Sequence, residues 1–231
     1  MKILEILEEF LKEVEKDNPF NLVLKGGTAL SLYHLNHHRE SEDLDFDTEK
    51  HFLKDFKRIE EYLSNILDKL KQKGIIVEYK ITKSGFAATE RYHIKIELKT
   101  HKTYSTKIDI EFLDLPKNLI KSGKLNLYSK ERMFITKLVT FISRKEFKDL
   151  YDVSHLAEKI ELSQFKEKKN IIQLIQDSIQ TIQQEDIQKM FKLAFRNIDL
   201  KFKNLKEPHL RKFTEETINK LRIIINKINR A

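Results

Sequence analysis

The sequence predicts an α+β fold: a mixed β-sheet carrying helices, followed by an all-α C-terminal lobe. Three observations carry that expectation. Segments that alternate apolar and polar residues are confined to the first half of the chain. Apolar residues at helical spacing fill everything after it. Between the two, around Leu115-Pro116-Lys117 to Lys124, Pro, Asn, Ser and Gly crowd together, and the boundary is set there, giving an α/β domain over 1–118 and a helical domain over 119–231.

Taken in order, the first residues carry acids at helical spacing and no sustained apolar run, so 2–16 reads as an amphipathic helix and not as a signal peptide. Leu22-Val23-Leu24 reads as a short buried strand, Gly26-Gly27 as the tight turn leaving it, and Thr28 as the N-cap of a helix carrying Ala29, Leu30, Leu32, Tyr33 and Leu35. Asp43-Leu44-Asp45-Phe46 has the period of a strand. Phe52, Phe56, Ile59, Leu63, Ile66, Leu67 and Leu70 define a long helix over 52–71, ended before Gly74. Three β segments follow, at Ile75 to Thr82, Tyr92 to Leu98 and Thr106 to Phe112, with Ser84-Gly85 turning between the first two and the polar run Lys99 to Ser105 linking the second and third. Helices are expected over 129–143, 146–159, 171–182 and 184–196, then a loop from Lys201 to Glu207, and a last helix over 209–229 started by Pro208. The Gln-rich stretch from Gln173 to Gln188 keeps its apolar period and so belongs to helix.

Composition narrows the class. With 231 residues and 40% hydrophobic content there is enough apolar matter for a core, and no segment is long enough to span a membrane. The absence of cysteine removes disulfides, thiolate metal sites and thiol nucleophiles, and suits a cytoplasmic location. Charge is uneven: residues 1–120 hold 20 Lys and Arg against 22 Asp and Glu, net −2, while 121–231 hold 24 against 14, net +10. A basic lobe suits a polyanion such as RNA; Lys-rich helix faces also serve solubility alone.

The chemistry concentrates in residues 24–46. Amides at a glycine turn and helix start can hold a phosphate. Downstream, the period of two puts Asp43 and Asp45 on one strand face and Leu44 and Phe46 on the other. Two adjacent carboxylates repel and raise one another's pKa unless a cation sits between them, and Mg²⁺, with Mn²⁺ as a substitute, is the usual solution beside substrate phosphates. In Lys107-Ile108-Asp109-Ile110-Glu111-Phe112 the same alternation gives Asp109 and Glu111 a shared face, so Asp109 is the preferred third acid, with Glu111 and Glu97 as rivals and a salt-bridged strand face as the plain alternative. Lys25 and Arg39 are candidate cations for triphosphate. Asp47 reads as solvent-facing or a helix cap, and His34, His37 and His38 as loop and surface residues able to contact phosphate or base, without the spacing of a zinc site.

The Gly-Gly-Thr-Ala-Leu run followed by Arg39-x-Ser41-x-Asp43-Leu44-Asp45-Phe46 resembles the signature of the DNA polymerase β-like nucleotidyltransferase superfamily and, within it, the AbiEii-type toxins. A second segment, Lys137-Leu138-Val139-Thr140-Phe141-Ile142-Ser143-Arg144 followed by Phe147-Lys148-Asp149-Leu150-Tyr151-Asp152-Val153, resembles that family's helical Lys-Leu-x-Ala and Arg-Asp-x-x-Asp-Leu segments. Thr28 stands where the superfamily has Ser, Thr140 where Ala is usual and Lys148 where Arg is commoner. The resemblance implies a nucleotidyltransferase-like sheet, an NTP substrate held by Gly26, Gly27, Thr28, Arg39 and Ser41, metal on Asp43 and Asp45, and catalytic roles for Asp43, Asp45, Asp109, Lys137 and Asp149. It further implies an RNA acceptor, a tRNA 3′ end first among them, and a cognate antitoxin as partner. Two readings from other classes stand beside it: a small-molecule nucleotidyltransferase of the antibiotic-modifying kind, and a non-catalytic nucleotide- or RNA-binding protein.

Overall fold

The structure, a computed structural model, describes residues 2–49, 52–87, 91–197 and 207–230. Two compact units divide the chain: Met1–Leu32 with Ser41–Tyr128, and Tyr33–Glu40 with Ser129–Ala231.

The first unit is built on a seven-stranded mixed sheet. Its strands are β1 (Val23–Lys25), β2 (Leu44–Thr48), β3 (Glu78–Ala87), β4 (Arg91–Lys99), β5 (Thr103–Phe112), β6 (Ile120–Ser122) and β7 (Leu125–Leu127). Across the sheet the order is β3-β4-β5-β2-β1-β7-β6, with β2 parallel to β5, β1 parallel to β7 and all other neighbours antiparallel. Alternation segregates the faces: Leu44, Phe46, Ile94, Ile96, Leu98, Ile108 and Ile110 are buried on one. Helices α1 (Ile3–Lys16) and α3 (Phe52–Gln72) pack against each other and cover that face through Ile6, Leu7, Phe10, Leu67 and Leu70, leaving a void of only about 10 Å³. The acids therefore fall on the opposite face.

Between β1 and β2 the chain makes one helical turn, α2 (Gly26–Ala29), which widens into π-type turns over Leu30–His34. Thr28 is inside this helix and not its N-cap, because the helix starts at Gly26. Ser84 and Gly85 do not turn; β3 runs through them, pairing Ser84 with Ile94 and Gly85 with His93 after an irregularity between Ile81 and Lys83. The Pro- and Gly-containing stretch near 120 is a hairpin, β6 and β7, which joins the sheet through β1, so the units part after Tyr128 where the sequence suggested 118. Three-residue strands carry too little periodicity to be seen in sequence.

The second unit packs α4 (Lys130–Arg144), α5 (Phe147–Leu156), α6 (Lys168–Gln184), α7 (Ile187–Asn197) and α8 (Leu210–Arg230) around Phe134, Leu138, Phe141, Phe147, Leu150, Ile175 and Leu221. Ser129 caps α4 by accepting the Arg132 N–H, and Lys145, with φ 54°, ends it. Phe147 meets Phe191 edge-on at 5.0 Å between ring centroids. The expected loop from Lys201 lies outside the described residues as far as 206. Among the described residues no helix is long and apolar enough to cross a membrane.

Asn18 and Gly123 hold the β1 and β7 ends together. The Asn18 amide donates to the carbonyls of Leu22 and Lys124, and its oxygen accepts the Leu22 N–H. Gly123 has φ +56°, and a Cβ there would stand 2.6 Å from the Glu15 carbonyl oxygen. Gly123→Ala should therefore cost about 1–3 kcal/mol, read as a lower urea midpoint at unchanged slope.

Candidate active site

Gly26 begins the site at a backbone position that strongly favours glycine. Its φ is +76°, and a Cβ placed on it would overlap the Asp45 carboxylate. The glycine turn and the second acid thus touch, a contact that spacing alone did not reveal. Thr28 then fixes the approach to β2: its hydroxyl donates to the Asp43 carbonyl at 2.5 Å and lies 2.9 Å from the Ser41 hydroxyl. Both side chains are buried, so Thr28 and Ser41 act here as a clasp on the chain leading into Asp43.

The parallel register of β2 and β5 sets Asp45 beside Asp109 and Asp47 beside Glu111. Register thereby separates the three rivals for third acid: Asp109 neighbours Asp45, Glu111 lies two residues on, and Glu97 on β4 opposes Ser105. Lys107 and His93 surround the first pair. Lys107 Nζ is 3.1 Å from Asp109 Oδ2 and 3.9 Å from Asp43 Oδ2, and its main-chain N–H donates to Asp43 Oδ1 at 3.3 Å. His93 Nδ1 is 2.5 Å from Asp109 Oδ1. Burial raises the pKa of Asp45, and the nearby charges of Asp109 and Asp43 raise it further. Burial pushes Asp109 the same way, but His93 and Lys107 outweigh it and hold the carboxyl below its ordinary value.

Asp43, Asp45 and Asp109 fit a hard divalent cation: the donors are all carboxylate oxygens, and Asp45 carries a repulsion that such an ion relieves. Among the described residues no three His, Asp or Glu side chains already form a metal cage, and Lys107 and His93 contact Asp109.

A second charged layer lies one step along the same face. Asp47 is buried, accepts from the Tyr128 hydroxyl at 2.5 Å and has Lys25 Nζ 2.6 Å away; Glu111 pairs with Lys25 and Arg91. Asp47 is thus neither solvent-facing nor a cap, and Lys25 is bound to carboxylates. Sequence reasoning missed Lys107, His93 and Tyr128 as site neighbours. The alternation that located Asp109 also put Lys107 on its face, so that signal was present.

The second unit holds a different constellation. Lys137 Nζ is 2.7 Å from Asp149 Oδ1 and 2.8 Å from Asp152 Oδ2. Arg39 grips Asp152 with two donors, Nε at 2.6 Å and Nη2 at 2.7 Å, and His38 Nε2 lies 2.7 Å from Asp152 Oδ1. Asp149 and Asp152 are fully buried, and Lys137 and Arg39 nearly so. His38 is therefore a core residue, stacked on Tyr151 at 5.9 Å, where a surface position was expected. Arg39, expected to face phosphate, spends its fork on Asp152. His37 is exposed, with φ 54°. Burial alone would raise the pKa of Asp152, yet Arg39 and Lys137 hold it well below the carboxylate range.

Two outcomes follow from this buried network. Lys137→Met leaves two buried carboxylates short of a cation and should cost about 3–5 kcal/mol in urea unfolding. A depressed native pKa at Asp152 gives stability that is complete above the unfolded value of about 3.9 and is lost as pH falls through the native one. The gap in melting temperature between wild type and Asp152→Asn should accordingly be constant near neutrality and narrow below about pH 4; a gap independent of pH down to acid unfolding would refute it.

Comparison with known proteins agrees with this architecture. Residues 5–221 match the family described as nucleotidyl transferase AbiEii toxin, type IV toxin–antitoxin system. A Helicobacter pylori protein solved as a candidate nucleotidyltransferase has a similar structure, with TM-score 0.69 and 22% identity, over 98% of this chain and 94% of that one. The H. pylori protein JHP933 is likewise similar, with TM-score 0.67 and 22% identity, over 99% of this chain and 92% of that one. No curated relative matches the sequence. A sheet bearing paired acids beside a glycine turn, a helical second unit and a family match over nearly the whole length lead to one assignment: the chain belongs to the AbiEii nucleotidyltransferase toxin family.

Proposed function

We propose that this protein transfers a nucleotide from an NTP to a hydroxyl of an RNA acceptor, a tRNA 3′ end first among them, in a reaction that needs Mg²⁺ or Mn²⁺, and that a cognate antitoxin restrains it. The observation that carries this reading is the register pairing of Asp45 with Asp109, with Asp43 just ahead and the Gly26 backbone against Asp45. Family membership supports the class of reaction and the antitoxin. The C-terminal basic excess supports a polyanionic acceptor.

In this scheme Asp43 and Asp45 hold the metal, which supplies charge neutralisation for the triphosphate when bound. Gly26 and Gly27 lie at a helix start, where main-chain amides suit a phosphate. Asp109 takes the proton of the acceptor hydroxyl as its oxygen forms a bond to the α-phosphorus and the bond to pyrophosphate breaks. His93 and Lys107 hold its pKa below the ordinary value and keep it ionised. Lys137 and Asp149, catalytic by resemblance, share one buried network with Asp152 and Arg39, and Arg39 anchors residues 33–40 within the second unit.

Asp43→Ala and Asp45→Ala should each lower transfer at least about a hundredfold, since several kcal/mol of charge stabilisation leaves with the metal. Neither should lower the melting temperature, because each removes a like charge from a repelling group. Wild-type turnover in either variant would sink the metal reading. For the acceptor, log affinity for RNA should fall linearly with log salt concentration. A flat response would point to a small-molecule acceptor instead.

A further inference from the structure

Lys107 stands beside the acids, and the scheme above gives it no task toward metal or nucleotide. It stands on β5 two residues before Asp109 and so shares its face. Register pairs Leu44 with Ile108, which brings Asp43 opposite Lys107. One side chain therefore reaches two of the three acids, at 3.1 Å and 3.9 Å, while its own main-chain N–H keeps hold of Asp43. Lys25 and Arg91 do not share this duty, since they pair with Asp47 and Glu111 in the next layer.

Exposure distinguishes Lys107 from Lys137, which also bridges two acids. Lys137 is 7% exposed at its side chain, so its ammonium is fixed in place; Lys107 is 43% exposed, as is Asp43. A strongly hydrated ammonium on a flexible four-carbon stem can leave such a position at little cost. The main-chain contact to Asp43 is unaffected by that departure.

We propose that Lys107 is the resident counter-cation of the carboxylate trio: it holds Asp43 and Asp109 together in the metal-free protein, competes with a divalent cation for Asp43, and turns its ammonium to the triphosphate once the cation has taken its place. This rests on the metal-dependent reading of the site. Lys107 then has two opposed effects, weakening metal binding to the free protein and strengthening nucleotide binding.

The test is a Mn²⁺ titration of the full chain without nucleotide, with free Mn²⁺ read by electron paramagnetic resonance. Lys107→Met should bind Mn²⁺ about tenfold tighter than wild type, since one positive charge at this range is removed from a half-exposed site. Lys107→Arg, which keeps the charge, should stay near wild type, and Lys107→Gln gives a second neutral variant if the Met protein folds poorly. A non-hydrolysable triphosphate analogue should bind Lys107→Met more weakly than wild type when Mn²⁺ is saturating for both proteins. Unchanged or weaker Mn²⁺ binding in both neutral variants overturns the proposal. If Mn²⁺ binds wild type and Lys107→Met equally and is lost in Asp45→Ala, the metal reading stands and the role of Lys107 falls. If Mn²⁺ binds none of the proteins, both fall together.

Discussion

Placing two aspartates side by side across a parallel strand pair is unfavourable unless something positive is close, and the first unit is arranged around that constraint. The register of β2 and β5 forces Asp45 against Asp109, and the turn at Gly26 presses main chain onto Asp45 from a third direction. Desolvation and repulsion then act on the same carboxyl, which is why its pKa rises while that of Asp109 falls. Lys107 and His93 stand beside Asp109 and leave Asp45 with the larger uncompensated charge. On the proposed metal-dependent reading, such an arrangement gives up stability for affinity toward a cation. The apolar face of the sheet, sealed by α1 and α3, supplies the burial that makes it tolerable.

Three charged groups in this chain follow one rule with different results. In the layer of Asp47 and Glu111, two acids meet Lys25 and Arg91, and Tyr128 satisfies a further oxygen. In the second unit, Asp149 and Asp152 meet Lys137 and Arg39, almost entirely out of water. Both groups balance their charge with protein cations, and balanced, buried groups hold structure in place. The trio of Asp43, Asp45 and Asp109 has more acid than base, the imbalance that on the proposed reading admits an outside cation. Chemistry is assigned to the imbalance, and framework to the balance.

Much of this was legible before any coordinates. Periodicity gave the long helices to within a few residues and placed the acids of β2 and β5 each on a single strand face. It did not give β6 and β7, whose three residues are too few to show a period, nor the continuation of β3 through Ser84 and Gly85, where extended pairing to β4 overrode a local turn signal. That Asp43 and Asp45, and likewise Asp109, stand opposite the apolar face of their strands was readable because β-alternation is strict and local. The partners of Arg39, His38 and Lys25 were not readable. Each side chain meets an acid more than twenty positions away, as in the Arg39 bond to Asp152, 113 residues apart, and no local pattern encodes such a distance. Asp152 illustrates the point well: it stood in the second motif, yet only the fold shows it to be where His38, Arg39 and Lys137 converge.

Register also ties the site to the fold's stability. A slip of one residue by either β2 or β5 would turn that strand's acid toward α1 and α3 and expose its apolar neighbour, Phe46 or Ile110, so the apolar face enforces the pairing of the acids. The strand that delivers Asp109 delivers Lys107 with it, two residues apart on one face, and the same register brings Asp43 within reach of both. Acid, counter-cation and hydrophobic core are thus specified by a single alternation in Lys107-Ile108-Asp109-Ile110. The chain cannot misplace the site at this strand pair and keep the core, which is how a weakly compensated cluster of acids persists in a protein held together by ordinary apolar packing.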